Sequence, residues 1–574
     1  MSTRHHALAA PDPRSFAAST VALTGASPDP LAMAMTAADG FVLLGPRGSV
    51  AAAGVAARLR LPCGLHPDTS GDVARWLAAV PATGSASQPG SGPLAVGALP
   101  FLPGQPTELL VPLISVVSTA AGRSLVTVVR PAATSADEAE DLALLSDLAA
   151  LLIGTGLATL LDRTALATLL DGTALATLLD DTDPTTLLDE TDPATLLDGT
   201  DPTTLLDSTD PATLLDGTDP ARTPDRRGLA ARLSGPAVAA RPVSTDLAAQ
   251  LDGAGLPAET GGTVTAPPPH RTRVGAVSAA PPATPVSPDP ERQATTTAVE
   301  AIWQAPDGPE FERRVTAALA AIASGRVGKV VLARQVHARF THPLDPVAVL
   351  RRLQADEPTC AVFAHRQAGG VFLGASPELL VRRRGDRVVS HPLAGTSAAD
   401  DAAVVALVAS TKEQAEHRTV AEAVADRLAA WCDVLQVPKA PTPVRLHGVA
   451  HLGTRITGRL HQPAADALTL AAALHPTPAV AGVPTGAALA LITDLEDEGR
   501  GFYAGPVGWV DARGDGELLV AIRSATVAGN RAVAYGGAGI VAGSAPDREL
   551  AETAAKLHTA LGALGIDAPA PSPV

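Results

Sequence analysis

The sequence predicts an α+β fold in which largely antiparallel β-sheets are flanked by helices and interrupted by a low-complexity insertion. Two observations predict this fold class. Short apolar runs bounded by glycine and proline outnumber segments with helical periodicity, and the connections between them are short, as in β-hairpins. A nine-residue acidic repeat, followed by a stretch rich in Pro, Ala and Thr, separates two ordered regions.

The ordered region before the insertion is predicted over residues 30–130. Apolar runs at 41–44, 94–97 and 109–112 lie between glycine and proline residues, which is typical of short strands. We expect these strands to belong to an N-terminal lobe.

The insertion is predicted over residues 131–292 and contains the nine-residue repeat. Leucine pairs recur every nine residues from Leu160 to Leu215, each pair is followed by Asp, and the later units read TDPATLLDG. A period of nine matches neither a heptad nor the common solenoid repeats. Because one helical turn per unit cannot bury its own leucines, we expect a flexible, partly helical insertion. A stacked mini-solenoid or a docking element is the alternative, and the stretch from Gly217 to about Arg292 has linker composition.

The net charge of −16 comes almost entirely from this repeat. Between Leu157 and Pro220 the chain has thirteen Asp, one Glu and one Arg, a net charge of −13, which leaves about −3 for all other residues. A basic stripe with interleaved aromatic residues is missing from the sequence, so nucleic acid is not expected as a partner.

The composition predicts a cytoplasmic protein without a membrane anchor. The first thirty residues lack an apolar signal-peptide core, and the uncharged stretch 148–161 is too short to cross a bilayer. Cys63, Cys360 and Cys432 are scattered, so we expect reduced thiols and neither a disulfide framework nor a zinc site. Apolar residues make up 46% of the chain and aromatic residues only 2%, so the core must consist mainly of Ala, Val and Leu.

The region 296–566 is predicted to hold the remaining ordered structure. Phe311, Val315, Leu319 and Ile322 recur at the 3.6-residue period of a helix. Strands are then predicted at 330–336, 371–373, 379–381, 388–389, 507–510, 518–522 and 532–535.

Glu416 is the first of several charged residues in this region that can serve chemistry or simply face solvent. It lies on the same predicted helix face as Val420, Val424 and Leu428, so its carboxylate should share the buried side. A charge there costs several kcal/mol unless it is paired or bound to a metal. The alternative is a helix-terminal Glu that bends out to solvent.

Other charged residues allow two interpretations as well. Glu549, Glu552 and Lys556 share one face of the last helix, either as a solvated face with an internal ion pair or as a functional cluster. Lys329 begins a predicted strand, where a lysine is normally exposed. A predicted glycine-rich turn at 536–539 can present backbone N–H groups to a carboxylate. Carboxylates beside a lysine can hold a divalent cation against an anionic substrate, which points to an enzyme acting on a small carboxylic acid.

Taken together and in order, the strings of this region resemble those of the chorismate-utilising enzymes, which include isochorismate, salicylate, anthranilate and aminodeoxychorismate synthases. They run from about Phe311 to Leu561 and read GKVVLAR, FLGASPELL, HPLAGT, STKEQAEH, HPTPAVAG, FYAGPVGWVD, AIRSA and YGGAGIVAGSAPDRELAETAAKL. The N-terminal lobe resembles the family more loosely, best at GALPFLPGQPTELLVP, and the resemblance covers roughly 400 residues. It implies a two-lobed chorismate-binding fold, from which the nonapeptide insertion is a departure.

The resemblance also implies roles for individual residues. Lys329 would deprotonate a water that attacks C2 of chorismate, and Glu378, kept protonated by apolar surroundings, would protonate the departing 4-hydroxyl. Mg²⁺ would be held by Glu416, Glu549 and Glu552, because hard oxygen ligands suit this ion. The substrate-binding residues that the resemblance implies are Thr396, His475, Tyr503, Arg523, Gly537, Gly539 and Lys556.

Two positions favour isochorismate synthase, an isomerase of the hydroxymutase type. Aminating members usually have glutamine in place of Lys329, and aminodeoxychorismate synthases commonly have a lysine in place of Ala394. Water is therefore the expected nucleophile, and no glutaminase subunit is expected as a partner. Salicylate synthase is the second interpretation; an aminating enzyme and a degenerate binding module that works through the repeat are further alternatives. We expect a monomer whose product enters siderophore, menaquinone or salicylate synthesis.

Overall fold

The computed structural model describes residues 8–23, 27–84, 89–132 and 297–566, together with most of the stretch 144–170. Within these ranges the strands form three sheets, and every strand pair but one is antiparallel. The prediction of an α+β fold with largely antiparallel sheets is confirmed. In the same ranges, no helix is long and apolar enough to cross a membrane.

The longest sheet takes strands from both sides of the repeat. Its strands are β1 Phe16–Leu23, β2 Gly40–Gly45, β3 Gly48–Ala53, β5 Ala82–Gly84, β8 Ile114–Thr119, β9 Ser124–Pro131, β10 Val299–Ala305, β11 Lys329–Phe340, β12 Ala361–Gln367, β13 Gly370–Ser376, β21 Gly482–Val483, β24 Ser524–Ala528 and β25 Arg531–Val541. Their order is β10-β11-β25-β24-β13-β12-β2-β3-β8-β9-β1-β5. Strand β21 also pairs with β11, on the same edge as β10. The two halves of the chain join where β12 pairs with β2.

A second sheet is also shared between the two halves. Its strands are β4 Ala57–Leu61, β6 Leu94–Ala98, β7 Thr107–Val111, β14 Leu379–Arg384, β15 Arg387–His391, β17 Cys432–Gln436, β20 Ile456–Leu460, β22 Pro506–Asp511 and β23 Gly516–Val520. Their order is β17-β20-β15-β14-β23-β22-β6-β7-β4. The third sheet, β16-β19-β18, consists of β16 Leu393–Ala398, β18 Thr442–Arg445 and β19 Val449–Gly453.

Aspartate side chains begin many of the helices. The helices referred to below are α1 Pro30–Ala34, α2 Pro67–Ala79, α3 Leu157–Leu160, α4 Arg163–Leu170, α5 Gly308–Ala323, α6 Pro346–Asp356, α7 Asp401–Ala409, α8 Thr411–Ala429, α9 Ala467–Leu474, α10 Thr485–Leu495 and α11 Pro546–Ala563. Asp29, Asp307, Asp345, Asp400 and Asp466 each accept a backbone N–H of the first turn, so the acidic N-caps set where these helices start.

The predicted helix around Phe311 is α5, and every predicted strand coincides with a strand of the structure. The strand predicted at 518–522 ends two residues early, at Val520. One continuous hydrophobic core contains buried residues from both halves, so the first region and the last region fold around shared sheets.

The first two units of the nonapeptide repeat belong to that core. Leu157 in α3, and Leu166 and Leu169 in α4, are buried, and α4 packs on β1 and β9. The carbonyl of Leu169 accepts a hydrogen bond from Arg130 Nε at 3.4 Å. The expectation of a flexible insertion is therefore wrong for these two units, because the sheet supplies the apolar surface that one helical turn lacks. The later units lie outside the described residues.

Candidate active site

A cavity of about 70 Å³ lies between the longest sheet and the third sheet. Its walls come from the start of β11, the link between β13 and β14, strands β16 and β25, and helices α8 and α11. Ten of the twelve predicted site residues line it: Lys329, Glu378, Thr396, Glu416, Tyr503, Arg523, Gly537, Gly539, Glu552 and Lys556. Glu549 and His475 are not part of the lining.

Lys329 is buried rather than exposed at a strand end. It begins β11 between two neighbours, because it pairs with Val541 of β25 on one edge and with Val483 of β21 on the other. Only 4% of its surface is exposed, and its Nζ donates to Glu416 Oε1 at 2.8 Å. A buried ammonium needs such a partner, so Lys329 and Glu416 share one charge-balanced position on the cavity wall.

Glu378 lies in the two-residue link between the longest sheet and the second sheet. The Ser376 hydroxyl accepts the Glu378 N–H at 3.2 Å, and the Glu378 carbonyl accepts the N–H of Val520 at 3.1 Å. Burial raises the pKa of the Glu378 carboxyl to about 7, although a backbone hydrogen bond from Leu393 and the charge of Lys329 oppose the shift. Near neutral pH this group can therefore donate a proton into the cavity.

Glu416 and Glu552 face the cavity as carboxylates held by lysines. Lys556 Nζ donates to Glu552 Oε1 at 2.5 Å, and despite burial this lysine keeps the pKa of Glu552 below its usual value. A third carboxylate, Glu413, accepts the Thr396 N–H at 3.2 Å. Burial and then the repulsion of Glu416 raise the pKa of Glu413. The predicted internal ion pair on α11 exists, but it faces the cavity.

Glu549 lies one turn before Glu552 on α11, behind the lining. Among the described residues its Oε2 has no hydrogen-bond partner, although the side chain is buried. Burial and the neighbouring Glu552 raise the pKa of Glu549 to about 7. A buried acceptor without a donor costs about 1–3 kcal/mol, so this oxygen is suited to a ligand.

The chemistry of these carboxylates fits a divalent cation, although the described residues contain no group of three or more His, Cys, Asp or Glu arranged to hold one. Burial is the main cause of the raised pKa values of Glu413 and Glu549, and repulsion by Glu416 and Glu552 adds to it; a cation would relieve that repulsion. Mg²⁺ prefers oxygen ligands and keeps several waters, so one or two carboxylates with substrate oxygens can be enough.

Arg523 brings a buried positive charge to the cavity. In the described residues its guanidinium forms no salt bridge, and its Nη2 lies 2.8 Å from His451 Nε2. Because arginine can only donate, Nε2 of His451 must accept and its Nδ1 carries the proton, which it donates to the Gly395 carbonyl at 2.9 Å. Burial and then Arg523 lower the pKa of His451 to about 3, so this histidine is neutral. A buried cation beside a neutral neighbour attracts an anion.

The glycine-rich segment 536–539 is a strand, so the predicted turn is wrong. It lies inside β25, where Gly537 pairs with Ala333 and Gly539 pairs with Val331 of β11. Glycine allows close packing here: a Cβ at Gly537 would lie 2.9 Å from the Tyr503 hydroxyl, and one at Gly539 would lie 3.1 Å from Glu416 Oε1.

The backbone of this glycine strand faces the cavity. Val331, the partner of Gly539, donates its N–H to Ala481 instead of to β25, so the two residues do not exchange ladder hydrogen bonds. Gly539, and Gly537 two residues before it, therefore point their N–H groups away from β11. On that side Lys556 Nζ donates to the Gly537 carbonyl at 3.1 Å. The expected N–H donors are thus available to a carboxylate without a turn.

Thr396 and Tyr503 complete the polar lining. The Thr396 hydroxyl lies 3.3 Å from Glu552 Oε1 and 3.4 Å from His451 Nδ1. The Tyr503 ring stacks on Tyr535 at 5.3 Å, and burial raises the pKa of Tyr503 to about 12. Its phenol therefore stays protonated and can donate a hydrogen bond.

His475 is not brought to the cavity. It ends helix α9, and its Nε2 lies 2.8 Å from the carbonyl of Phe101, whose ring it also contacts edge-on. Burial lowers the pKa of His475 to about 4, so it is a neutral packing residue. His475 lies in the sequence segment HPTPAVAG, among the other segments that resemble the family, but this position in the sequence does not indicate where its side chain lies.

Three residues at the cavity were not predicted from the sequence. His451 and Arg500 line the cavity, and Glu413 lies close behind the lining. Glu413 had a signal, since it precedes Glu416 by three residues and therefore shares its helix face. His451 and Arg500 occur singly in a strand and a loop, without a spacing that distinguishes them.

Comparison with known proteins links this geometry to one family. The model of the family described as "Chorismate binding enzyme" matches residues 282–565. The chain is 42% identical over 275 residues to isochorismate synthase DhbC of Bacillus subtilis, covering 46% of this chain and 69% of DhbC. It is 40% identical over 268 residues to isochorismate synthase EntC of Escherichia coli K12, covering 46% of this chain and 68% of EntC.

The fold is similar beyond the aligned region. MenF, the menaquinone-specific isochorismate synthase of Escherichia coli, matches with a TM-score of 0.60 at 21% sequence identity. That match covers 95% of this chain and 94% of MenF, so the shared architecture includes the N-terminal half.

Proposed function

The chain belongs to the chorismate-binding enzyme family, and we propose that it converts chorismate into isochorismate. The observation that carries the proposal is that Lys329 and Glu378, a base and an acid, line one cavity together with the cationic Arg523. The names of relatives at 40–42% identity support the same reaction. Lys329 stands where aminating members usually have glutamine, which favours water as the nucleophile.

In the proposed reaction, water adds at C2 of the ring, the double bonds shift, and the 4-hydroxyl leaves as water. Lys329 takes a proton from the attacking water, and Glu378 gives its proton to the leaving hydroxyl, so substrate and product are isomers. Each of the two proton transfers can contribute roughly 10²–10⁴ in rate.

Substrate binding is proposed to use the two positive charges and the glycine strand. Arg523 and Lys556, with the N–H groups of Gly537 and Gly539, would hold the enolpyruvyl carboxylate. Tyr503 and Thr396 would donate hydrogen bonds to the remaining oxygens. Because Arg523 and Tyr503 are buried, their contacts are stronger than the same contacts in water.

We propose Mg²⁺ as the cation, held by Glu416 and Glu552 with Glu549 behind them. Bound there, the ion would stabilise the ring carboxylate of the substrate electrostatically. The chain's own residues still perform both proton transfers. We further assign the catalytic region to residues 296–566 and the second lobe to 30–130, since every lining residue of the cavity lies between Lys329 and Lys556.

The test is the product formed from chorismate by the purified full-length protein with Mg²⁺. We expect isochorismate, loss of activity with a chelator, and no change of product when ammonia or glutamine is added. Anthranilate or aminodeoxychorismate as the main product would contradict water as the nucleophile. Salicylate with pyruvate as the main product would instead favour salicylate synthase.

A further inference from the structure

Strand β11, which begins with Lys329, has an interrupted edge. On one side it pairs with β25 along its whole length. On the other side β21 pairs with residues 329–330 and β10 with residues 335–340, and among the described strands none pairs with residues 331–333. This gap lies beside the cavity, because Val331 is part of the cavity lining.

In this gap the Val331 N–H donates to the Ala481 carbonyl at 2.8 Å, and side chains bond the next backbone groups of β11. Glu496 Oε1 accepts the Ala333 N–H at 2.8 Å, and Arg500 Nη2 donates to the Val331 carbonyl at 2.8 Å. Just beyond, Gln335 Nε2 donates to the Gly499 carbonyl at 2.8 Å. The segment 496–500 therefore lies along this edge of β11, and the side chains of Glu496 and Arg500 bond the backbone groups that a strand would otherwise bond.

Glu496 and Arg500 are locked to each other. Arg500 Nε donates to Glu496 Oε2 at 2.8 Å and its Nη2 to Oε1 at 2.6 Å, while 3% and 6% of the two side chains are exposed. Arg500 Nη1 donates to the Val480 carbonyl at 2.8 Å, and the guanidinium lies 4.2 Å from the centre of the Phe101 ring. Four of the five N–H groups of Arg500 thus donate hydrogen bonds to protein atoms. Arg500 is therefore fixed in the cavity wall and does not act as a substrate ligand.

We propose that Glu496 and Arg500 form a positioning pair that holds Lys329 in its working place. The pair fixes the carbonyl of Val331, two residues after Lys329, and the carbonyl of Val480, whose neighbour Ala481 accepts the Val331 N–H. The Arg500 carbonyl also accepts the N–H of Tyr503 at 2.9 Å. A buried ion pair is seldom a net gain in stability over apolar residues, so a role in geometry accounts for its presence at this edge.

The first test replaces Arg500 with lysine. Lysine keeps the charge but cannot reach Val331, Val480 and both oxygens of Glu496 at once. We expect kcat for chorismate to fall at least about tenfold, because small displacements of catalytic groups have large effects on rate, while KM stays within about twofold. The pH dependence assigned to Glu378 should be unchanged, since neither proton-transfer group is altered.

Arg314→Lys is the matched control. Arg314 is a buried arginine, and its Nη1 donates to Glu498 at 2.8 Å. Glu498 lies two residues before Arg500 in the sequence. Among the described residues it forms ion pairs with Glu310, Asp497 and Glu498, none of which lies in β11. Both substitutions should lower Tm, but only Arg500→Lys should lower kcat. Equal kcat in the two variants, or a loss confined to KM, would overturn the positioning role.

Hydrogen exchange separates this inference from the proposed function on which it rests. In Arg500→Lys the peptide covering residues 329–336 should exchange about tenfold faster than in wild type, and in Arg314→Lys it should not. That result does not depend on which product the enzyme forms. If Arg500→Lys does not fold, Glu496→Gln serves instead, because it keeps an acceptor for the Ala333 N–H and removes the charge. Unchanged exchange and unchanged kcat in Glu496→Gln would also overturn the proposal.

Discussion

The longest sheet has very different surroundings at its two ends. Near one end, β11 and β25 border buried charges, with Lys329 paired to Glu416 and Lys556 paired to Glu552. Near the other end, β1 and β9 are covered by the leucines of α4. The pairs β11–β25 and β1–β9 are both antiparallel ladders. We call these the charged end and the leucine end.

The difference shows that one end of the sheet contributes mainly to stability and the other end carries the charged site. At the leucine end, burial of apolar surface stabilises the fold by about 25 cal/mol per Å². At the charged end, burial raises the pKa values of Glu378 and Glu549, and Arg523 has a left-handed backbone (φ 54°). These features lower the stability of the folded protein. Substitutions at the two ends should therefore separate activity from stability.

The largest expected effect is on the proton-transfer groups of the charged end. Lys329→Ala and Glu378→Gln should each lower kcat by roughly 10² or more, because each removes one proton transfer. The dependence on Mg²⁺ should stay near wild type in both. An active Lys329→Ala enzyme would remove Lys329 from the mechanism, and steady-state kinetics with chorismate measure this directly.

The next effect concerns the cation. Glu416→Ala and Glu552→Ala should raise the Mg²⁺ concentration for half-maximal activity about tenfold or more, because a neutral residue does not replace an anionic oxygen ligand. Glu422→Ala, an exposed position on the same helix as Glu416, is the control. Mg²⁺ titrations that coincide for all three variants would rule out the ligand assignment.

The pH dependence should show one group acting as an acid. The pKa of Glu378 is raised to about 7, and only the protonated form donates, so kcat/KM should fall above pH 7 by about tenfold per unit. The pKa of Glu549 is also raised to about 7, so Glu549→Gln is the informative comparison. If this variant loses the alkaline decline, Glu549 and not Glu378 is the group that titrates.

At the leucine end the expected result is reversed. Leu166→Ala and Leu169→Ala should each lower the free energy of unfolding by about 2–5 kcal/mol, as large-to-small changes in a core do. The value of kcat at 25 °C should remain within about twofold of wild type. Denaturant unfolding and steady-state kinetics on the same preparations check both halves of this prediction. A large loss of kcat without loss of stability would show that the two ends are coupled.

The smallest effect is expected from deleting residues 171–268, a deletion that starts directly after helix α4. Catalysis should remain within a few-fold of wild type, since closure entropy depends only weakly on loop length. The isoelectric point should rise, because most of the excess acid is removed. A deletion that also takes residues 155–170 should lose stability, since it removes the buried leucines of α3 and α4.

Most of the fold could be predicted because local patterns agree with the final structure. Strand runs, the helix around Phe311 and the face of Glu416 follow from periods of 2 and 3.6. The packing of the first repeat units had a signal that was overlooked. The first three units have leucine at the third position, Leu157, Leu166 and Leu175, where the later units have proline, so they present more apolar surface.

The site was less predictable because burial depends on neighbours that are distant in sequence. Lys329 is buried only because β21 and β25 flank it. The glycines at 536–539 have the composition of a turn, yet their purpose is close packing within a strand. The pair of Glu496 and Arg500 substitutes for a missing strand, and no spacing rule describes such a substitution.

The position of β10 sets a minimum reach for the chain that follows the repeat. Helix α4 ends at Leu170 beside β1, whereas β10 begins at Val299 at the opposite edge of the same sheet, ten strand positions away. At about 4.8 Å per strand this is roughly 48 Å, less in a twisted sheet, which an extended chain covers in about 15 residues. The sequence supplies 128 residues between Leu170 and Val299. A shortened connection can therefore be cut far back, but one of only a few residues would force either α4 or β10 off the sheet.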